Sequence, residues 1–215
     1  MRFQNREHAA QLLVERLSPA YKNKNPLVLG VPRGAVPMAK IIADKLGGEL
    51  DVVLVHKLTH PESPELAIGA IDESGKALVS DWAMGLDADY LEAEKRRQLA
   101  VLRRRRAAYT PLRAPIDPRG RIVIVVDDGI ATGSTMTAAL RAVRAKNPKK
   151  LVGAVAVAST SAAHALSREC DEMICLKVPV DFYAVGQFFE NFDQVTDEDV
   201  VAILKEQSAK VSAVG

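Results

Sequence analysis

Cysteine is scarce in this chain: Cys170 and Cys175 are the only two among 215 residues. Two thiols do not make a disulfide framework, so a reducing compartment and a cytoplasmic location are expected. Neither has histidine partners at metal-ligand spacing, and both read as small buried residues. Long apolar runs are also missing. None approaches the ~18 residues that a membrane helix needs. Met1 to Leu17 carries charges throughout and has no apolar signal-peptide core. Neither sign of charge dominates: 29 Lys and Arg stand against 27 Asp and Glu, a net charge of +2. Such a balance gives no global argument for nucleic acid or membrane. Several motifs are absent too. There is no G-x-x-x-x-G-K-[ST] phosphate loop, no G-x-G-x-x-G after a strand and no G-x-S-x-G elbow.

What is present is an alternation of β-branched runs with helical periodicity. A helix opens the chain through Leu12, Leu13 and Leu17 and should stop at Ser18-Pro19. Leu27 to Gly30 reads as a strand running into a turn at Val31-Pro32-Arg33-Gly34, and Val36 to Leu46 as a helix ended by Gly47-Gly48. Val52 to Val55 is the next strand, followed by a polar, proline-bearing stretch from His56 to Glu65. A hairpin of Ala67 to Ile71 and Ala77 to Val79 turns at Glu73-Ser74-Gly75. A long helix covers Ala88 to Ala108, and Pro111, Pro115 and Pro118 form an irregular connection after it. Ile122 to Val126 is a strand of the kind buried on both faces in a parallel sheet. Helix Thr135 to Lys146, strand Leu151 to Ala158, helix Ala162 to Glu169 and strand Glu172 to Leu176 continue the alternation. Thr196 and Asp199 make a capping box for a last helix through about Gln207. The expected fold is α/β: a doubly wound, mainly parallel sheet of about five strands with flanking helices and a hairpin insertion. The chain reads as one domain, with a core of about 27–177 and a small hood drawn from 1–26 and 178–215.

Ligands of open α/β sheets bind beyond the carboxyl ends of strands, so the residues that follow each strand are the ones to read. Asp127 and Asp128 follow Ile122 to Val126. Two adjacent carboxylates are costly unless something offsets their repulsion, as sugar hydroxyls and a magnesium ion would. Gly129-Ile130 and then Ala131-Thr132-Gly133-Ser134-Thr135 come next and open a helix. Its free N–H groups and dipole favour a phosphate. The hydroxyls of Thr132, Ser134 and Thr135 add donors, and Gly133 allows close backbone approach. Acids first and anion loop second place a ribose over the carboxylates with its 5′-phosphate in the loop. Taken singly, each piece is more simply a turn or a helix cap.

Together, Val125-Val126-Asp127-Asp128-Gly129-Ile130-Ala131-Thr132-Gly133-Ser134-Thr135 resembles the signature of type I phosphoribosyltransferases, which bind 5-phosphoribosyl-1-pyrophosphate. Gly129 departs from the aliphatic residue usual there and reads as added flexibility. The whole chain is also similar to a bacterial subgroup whose members carry only a provisional phosphoribosyltransferase name.

The resemblance implies a pyrophosphate loop after the first core strand, where Val31-Pro32-Arg33-Gly34 stands. The family usually builds this loop with a strained or cis peptide that presents N–H groups. Arg33 can make bidentate phosphate contacts, although a plain turn with a surface arginine fits as well. After Val52 to Val55 the family has a mobile catalytic loop. Lys57 is the candidate pyrophosphate or transition-state contact there, His56 is weaker, and His60, Glu62 and Glu65 read as solvated residues of a loop that could order on binding. After the last strand the family places residues that hold the acceptor. Phe182 and Tyr183 are the candidates, against the alternative that the aromatics of 182–192 pack the hood onto the core.

The reaction implied is magnesium-dependent transfer of ribose 5-phosphate from 5-phosphoribosyl-1-pyrophosphate to a nitrogen nucleophile, a nucleobase in the first instance, with release of pyrophosphate. No direct metal ligand stands out beyond Asp127 or Asp128 through water. A non-catalytic regulator that senses the same sugar phosphate and binds RNA or a protein is the alternative. Helix residues 92–106, with seven Lys/Arg and two Glu, leave room for it, although a solvated face explains them more simply. Nucleic acid is not the expected partner, because no aromatic interleaves Arg103 to Arg106. A phosphotransferase of the haloacid-dehalogenase kind lacks its D-x-D spacing here. The reading admits a homodimer and no membrane, and leaves the acceptor and the general base unassigned.

Overall fold

The computed structural model describes residues 2–111 and 115–212, except the side chains of residues 64, 65, 82 and 208–212. The Glu65 side chain and part of the proline connection therefore lie outside what is described. Eight strands and six α-helices are built from the rest. Five strands form a parallel sheet: β1 (Leu27–Gly30), β2 (Glu49–Val52), β6 (Ile122–Ile130), β7 (Lys150–Ala158) and β8 (Glu172–Lys177), in the order β2-β1-β6-β7-β8. This is the doubly wound α/β sheet expected from the sequence. Its central strands are apolar on both faces. Leu27 to Leu29, Val123 to Val126 and Leu151, Val152 and Ala154 to Ala158 are all buried. Burying such side chains contributes about 1.5–3 kcal/mol each for the larger ones, which makes this layer the stable base of the molecule.

Helix α2 (Val36–Leu46) connects β1 to β2, and α4 (Ser134–Arg144) connects β6 to β7. The chain moves outward from β1 in one direction and from β6 in the other. Right-handed crossovers then put α2 and α4 on opposite faces. Helix α1 (Arg6–Tyr21) packs beside α2, and α5 (Thr160–Leu166) covers β7 and β8. Between β1 and β6 the chain direction switches, and the loops after those two strands diverge. Their carboxyl ends form the topological switch point of the sheet, the place where sheets of this kind hold ligands in a crevice.

The remaining strands make a second, antiparallel sheet: β3 (Val55–His60), β4 (Ser63–Asp72) and β5 (Ala77–Val79). The expected hairpin is present, with Gly69 opposite Val79 and Ile71 opposite Ala77. The polar stretch from His56, read from sequence as a loop, is instead a paired strand and the start of the next. Long helix α3 (Ala88–Tyr109) backs this sheet. Glu94, buried on α3, accepts from the Thr59 backbone and hydroxyl and from Gln98, and so ties helix to strand. The strand expected at Val52 to Val55 is divided between the two sheets. β2 can pair only as far as β1 runs, which is to Gly30 opposite Val52. Val53 and Leu54 cross, buried, into β3.

Helix ends follow the chemistry of their residues. Gly47 ends α2 in the left-handed conformation, φ 66°. Thr196 and Asp199 cap α6 (Asp197–Ser212) reciprocally: the Thr196 amide donates to the Asp199 carboxylate at 2.9 Å and the Asp199 amide to the Thr196 hydroxyl at 3.1 Å. Helix α1 does not stop at Ser18-Pro19 but continues to Tyr21. Pro19 is on the exposed side, where water can serve the carbonyl that loses its N–H partner, and buried Tyr21 holds the last turn in place.

Candidate active site

β6 is longer than its apolar run. It extends through Asp127, Asp128 and Gly129 to Ile130 and so carries both acids on a strand rather than in a turn. Asp127 pairs in register with Val155 of β7. Its carboxylate turns back and accepts from the Asp128 amide at 2.9 Å. Burial, and then the neighbouring Asp128 charge, hold the Asp127 carboxyl well above the usual aspartate range. Ala131, Thr132 and Gly133 follow, and Gly133 has φ 84° at the N-terminus of α4. No side chain caps this helix end. Its first-turn hydroxyls on Ser134 and Thr135, with that of Thr132 beside them, are exposed. Ser159, from the neighbouring loop after β7, donates through its hydroxyl to the Ala131 carbonyl at 2.7 Å and through its amide to Ile130 at 3.0 Å. The loop carbonyls are thus engaged from behind, and the helix end offers donors outward.

The loop after β1 stands across the crevice. The Pro32–Arg33 peptide bond is cis. Gly34 is packed onto the acid pair: a Cβ built there would lie 2.2 Å from Asp128 Oδ2. Only a hydrogen fits, so this loop and the acids are in direct contact. Arg33 reaches toward Asp197 at the start of α6, 3.7 Å away. Asp197 is also bonded by the Tyr109 hydroxyl. Burial, with Asp197 beside it, pushes that hydroxyl's pKa up.

A profile of the phosphoribosyl transferase domain matches residues 3–189. The chain belongs to this family. Two Mycobacterium tuberculosis proteins, from strains CDC 1551 / Oshkosh and ATCC 25618 / H37Rv, carry a provisional phosphoribosyl transferase name. Each is 42% identical over 205 residues, which is 94% of this chain and 46% of the relative. The chain therefore spans about half the length of the curated relatives it matches. The crystal structure of TT1426 from Thermus thermophilus is 47% identical and superposes with a TM-score of 0.87, over 96% of this chain and 99% of that one.

Within this phosphoribosyltransferase fold the residues singled out from sequence fall in two groups. Asp127, Asp128, Ala131 to Thr135, Arg33 and Gly34 share the crevice at the β1 and β6 ends. Lys57 stands on the other sheet, exposed on β3 opposite Ala70. Phe182 packs on Phe188 with ring centroids 5.3 Å apart, whereas Tyr183 is 86% exposed. Phe188 and Phe189 are buried. The aromatic run therefore packs its own segment first. The segment before α1 joins it: the Phe3 amide donates to the Phe188 carbonyl and the Glu190 amide to the Phe3 carbonyl, each at 2.8 Å.

Gly129 is explained by space. A Cβ there would lie 2.3 Å from Val185 and 3.0 Å from Val157, so the valine of a short 3₁₀ turn (Val185–Phe188) occupies the room of the missing side chain. Flexibility, read from sequence, is not its role in a strand paired with β7. Gly129→Val should displace this turn and lower stability by about 1–3 kcal/mol, the usual scale of overpacking. An unchanged thermal midpoint would contradict it.

Sequence reading missed Arg6, Ser159 and Asp197. Ser159 could have been found as a cap residue after an apolar strand. Arg6 carried no local signal, since it is 122 positions from the acid it touches.

Proposed function

We propose that this domain transfers ribose 5-phosphate from 5-phosphoribosyl-1-pyrophosphate to a nitrogen nucleophile, a nucleobase in the first instance, and releases pyrophosphate. One observation carries the reading: Gly34 of the loop after β1 touches Asp128, so that loop, an acid pair and a helix N-terminus meet at one set of strand ends. In this reading the amides and hydroxyls of Ala131 to Thr135 hold the 5′-phosphate. Asp127 and Asp128 accept from the 2′- and 3′-hydroxyls and stabilise the positive charge that grows on the ribose ring as the C1–oxygen bond breaks. Arg33 and the Gly34 amide stabilise the departing pyrophosphate, and Lys57 joins them if its sheet closes over the substrate.

Magnesium fits this donor set in a limited way. No cluster of three or more His, Cys, Asp or Glu suits a metal among the described residues. The half-buried, mutually repelling pair Asp127 and Asp128 does suit a hard cation that keeps most of its ligands from water and substrate. When bound, magnesium would neutralise charge on the pyrophosphate and ribose oxygens. The acceptor is assigned to the segment around Phe182 and Tyr183, where an exposed ring stands near the end of the sheet.

Thermal melting with magnesium and 5-phosphoribosyl-1-pyrophosphate tests the central claim. Ligand at about 100 times its dissociation constant should stabilise the domain by about 2.7 kcal/mol. Absence of any shift would remove the sugar phosphate from this crevice. Pyrophosphate release on adding candidate bases would then name the acceptor, and salt-sensitive RNA binding without release would favour a regulator instead.

A further inference from the structure

We propose that Arg6, at the start of α1, is a pyrophosphate contact that is parked on Asp128 until substrate arrives. The inference rests on the ribosyl-transfer reading and adds a residue to it. Arg6 Nε donates to Asp128 Oδ2 at 2.8 Å, and both side chains are almost fully enclosed, 14% and 13% exposed. Nη1 donates to the Asp193 carbonyl at 2.5 Å, and the guanidinium lies 3.8 Å over the Phe192 ring. Nη2 faces the other way, toward the loop after β1: a Cβ on Gly34 would be 3.2 Å from it. One guanidinium thus spans the acid pair, the cis-peptide loop and the segment after β8.

Competition for Asp128 decides what this arrangement does. Ribose hydroxyls and a magnesium ion need the carboxylate oxygen that Arg6 now occupies. When they take it, Arg6 is left in an enclosed pocket without its anion, which is unfavourable. The pyrophosphate delivered to the Gly34 loop is the anion within reach, and a planar guanidinium matches its oxygens with two parallel donors. The Asp193 carbonyl and the Phe192 ring keep the guanidinium plane in position while it changes partner. Arg33 repeats the pattern, held by Asp197 at 3.7 Å. Both arginines facing the proposed pyrophosphate site therefore rest on carboxylates.

Calorimetric titration of inorganic pyrophosphate and of ribose 5-phosphate, each with magnesium, into wild type, Arg6→Gln and Arg6→Lys separates the outcomes. Arg6→Gln should weaken pyrophosphate binding at least tenfold and leave ribose 5-phosphate binding equal or tighter, because Asp128 has lost its competitor. Arg6→Lys keeps charge without the fork and should lose at least threefold for pyrophosphate alone. Equal weakening of both ligands would reduce Arg6 to holding the terminal segments together and overturn the proposal, as would unchanged pyrophosphate affinity. If Arg6→Gln does not fold, wild-type pyrophosphate affinity in Arg6→Lys overturns it. A wild-type protein that binds neither ligand overturns the ribosyl-transfer reading itself, and this inference with it.

Discussion

Exchange of Asp127 and Asp128 together for asparagine is expected to lower the proposed ribosyl transfer by about 10³-fold or more, the scale of losing preorganised electrostatic contacts to a transition state. Pyrophosphate release, with the most active base found, measures it. Turnover near the wild-type rate would remove the acids from the chemistry. At Asp127 alone, exchange for asparagine should not damage the fold. The Asp127 carboxyl is held above its usual range by burial and by Asp128. A raised folded-state value means that the folded protein binds more protons than the unfolded chain across the interval from the ordinary aspartate value up to the raised one. Stability therefore falls as pH rises through that interval, which opens at about pH 4. Asp127→Asn removes the loss. The ligand-free variant should melt higher than wild type at neutral pH and show a flatter dependence on pH. A lower melting point would mean that the acid pair is already neutralised, with Arg6 as its counter-charge.

The second large effect lies away from the crevice, at Arg106. Its guanidinium donates to both Glu73 oxygens, at 2.6 and 2.7 Å, to Asp51 at 2.9 Å and to the Val52 carbonyl at 3.0 Å. Asp51 is 1% exposed in the middle of β2 and also accepts from the Ile116 amide at 2.9 Å. Arg106→Ala would leave a buried carboxylate without its cation, and removal of one partner from such a pair costs about 3–5 kcal/mol. For a domain of this size that amounts to about 6–20 °C in the thermal midpoint. Lysine should rescue little, because one ammonium cannot serve two carboxylates and a carbonyl at once. A midpoint within about 2 °C of wild type would show that the pair is replaceable by water. Because Glu73 sits in the β4–β5 turn, this network also joins the antiparallel sheet to the parallel one.

Arg106 shows how sequence pattern and tertiary structure divide. In the sequence it is one of seven basic residues on a helix and reads as part of a solvated face. In the structure Arg103, Arg104 and Arg105 are exposed, while Arg106 is consumed by two acids from β2 and the β4–β5 turn. Nothing in helical periodicity marks the difference, since the partners are 55 and 33 positions away. Asp51 was hidden for the same reason: it interrupts an apolar strand and survives burial only because the helix supplies a counter-charge.

By itself the sequence determined the parallel α/β fold, the hairpin and the stretch from Asp127 to Thr135. These are local matters: β-branched runs make buried strands, glycine ends helices, and small hydroxylated residues after an acid pair open the next helix. The family followed from that stretch, and the domain match bears it out. Only the tertiary structure decided what meets across the crevice. The Gly34 contact with Asp128, the Arg6 bridge and the filling of Gly129's space by Val185 each join segments far apart in the chain. Such contacts depend on strand order and on the path of the termini, and no short-range periodicity encodes them. The same holds for His56 to His60, whose polar residues look like loop until the partner strand β4 supplies their hydrogen bonds.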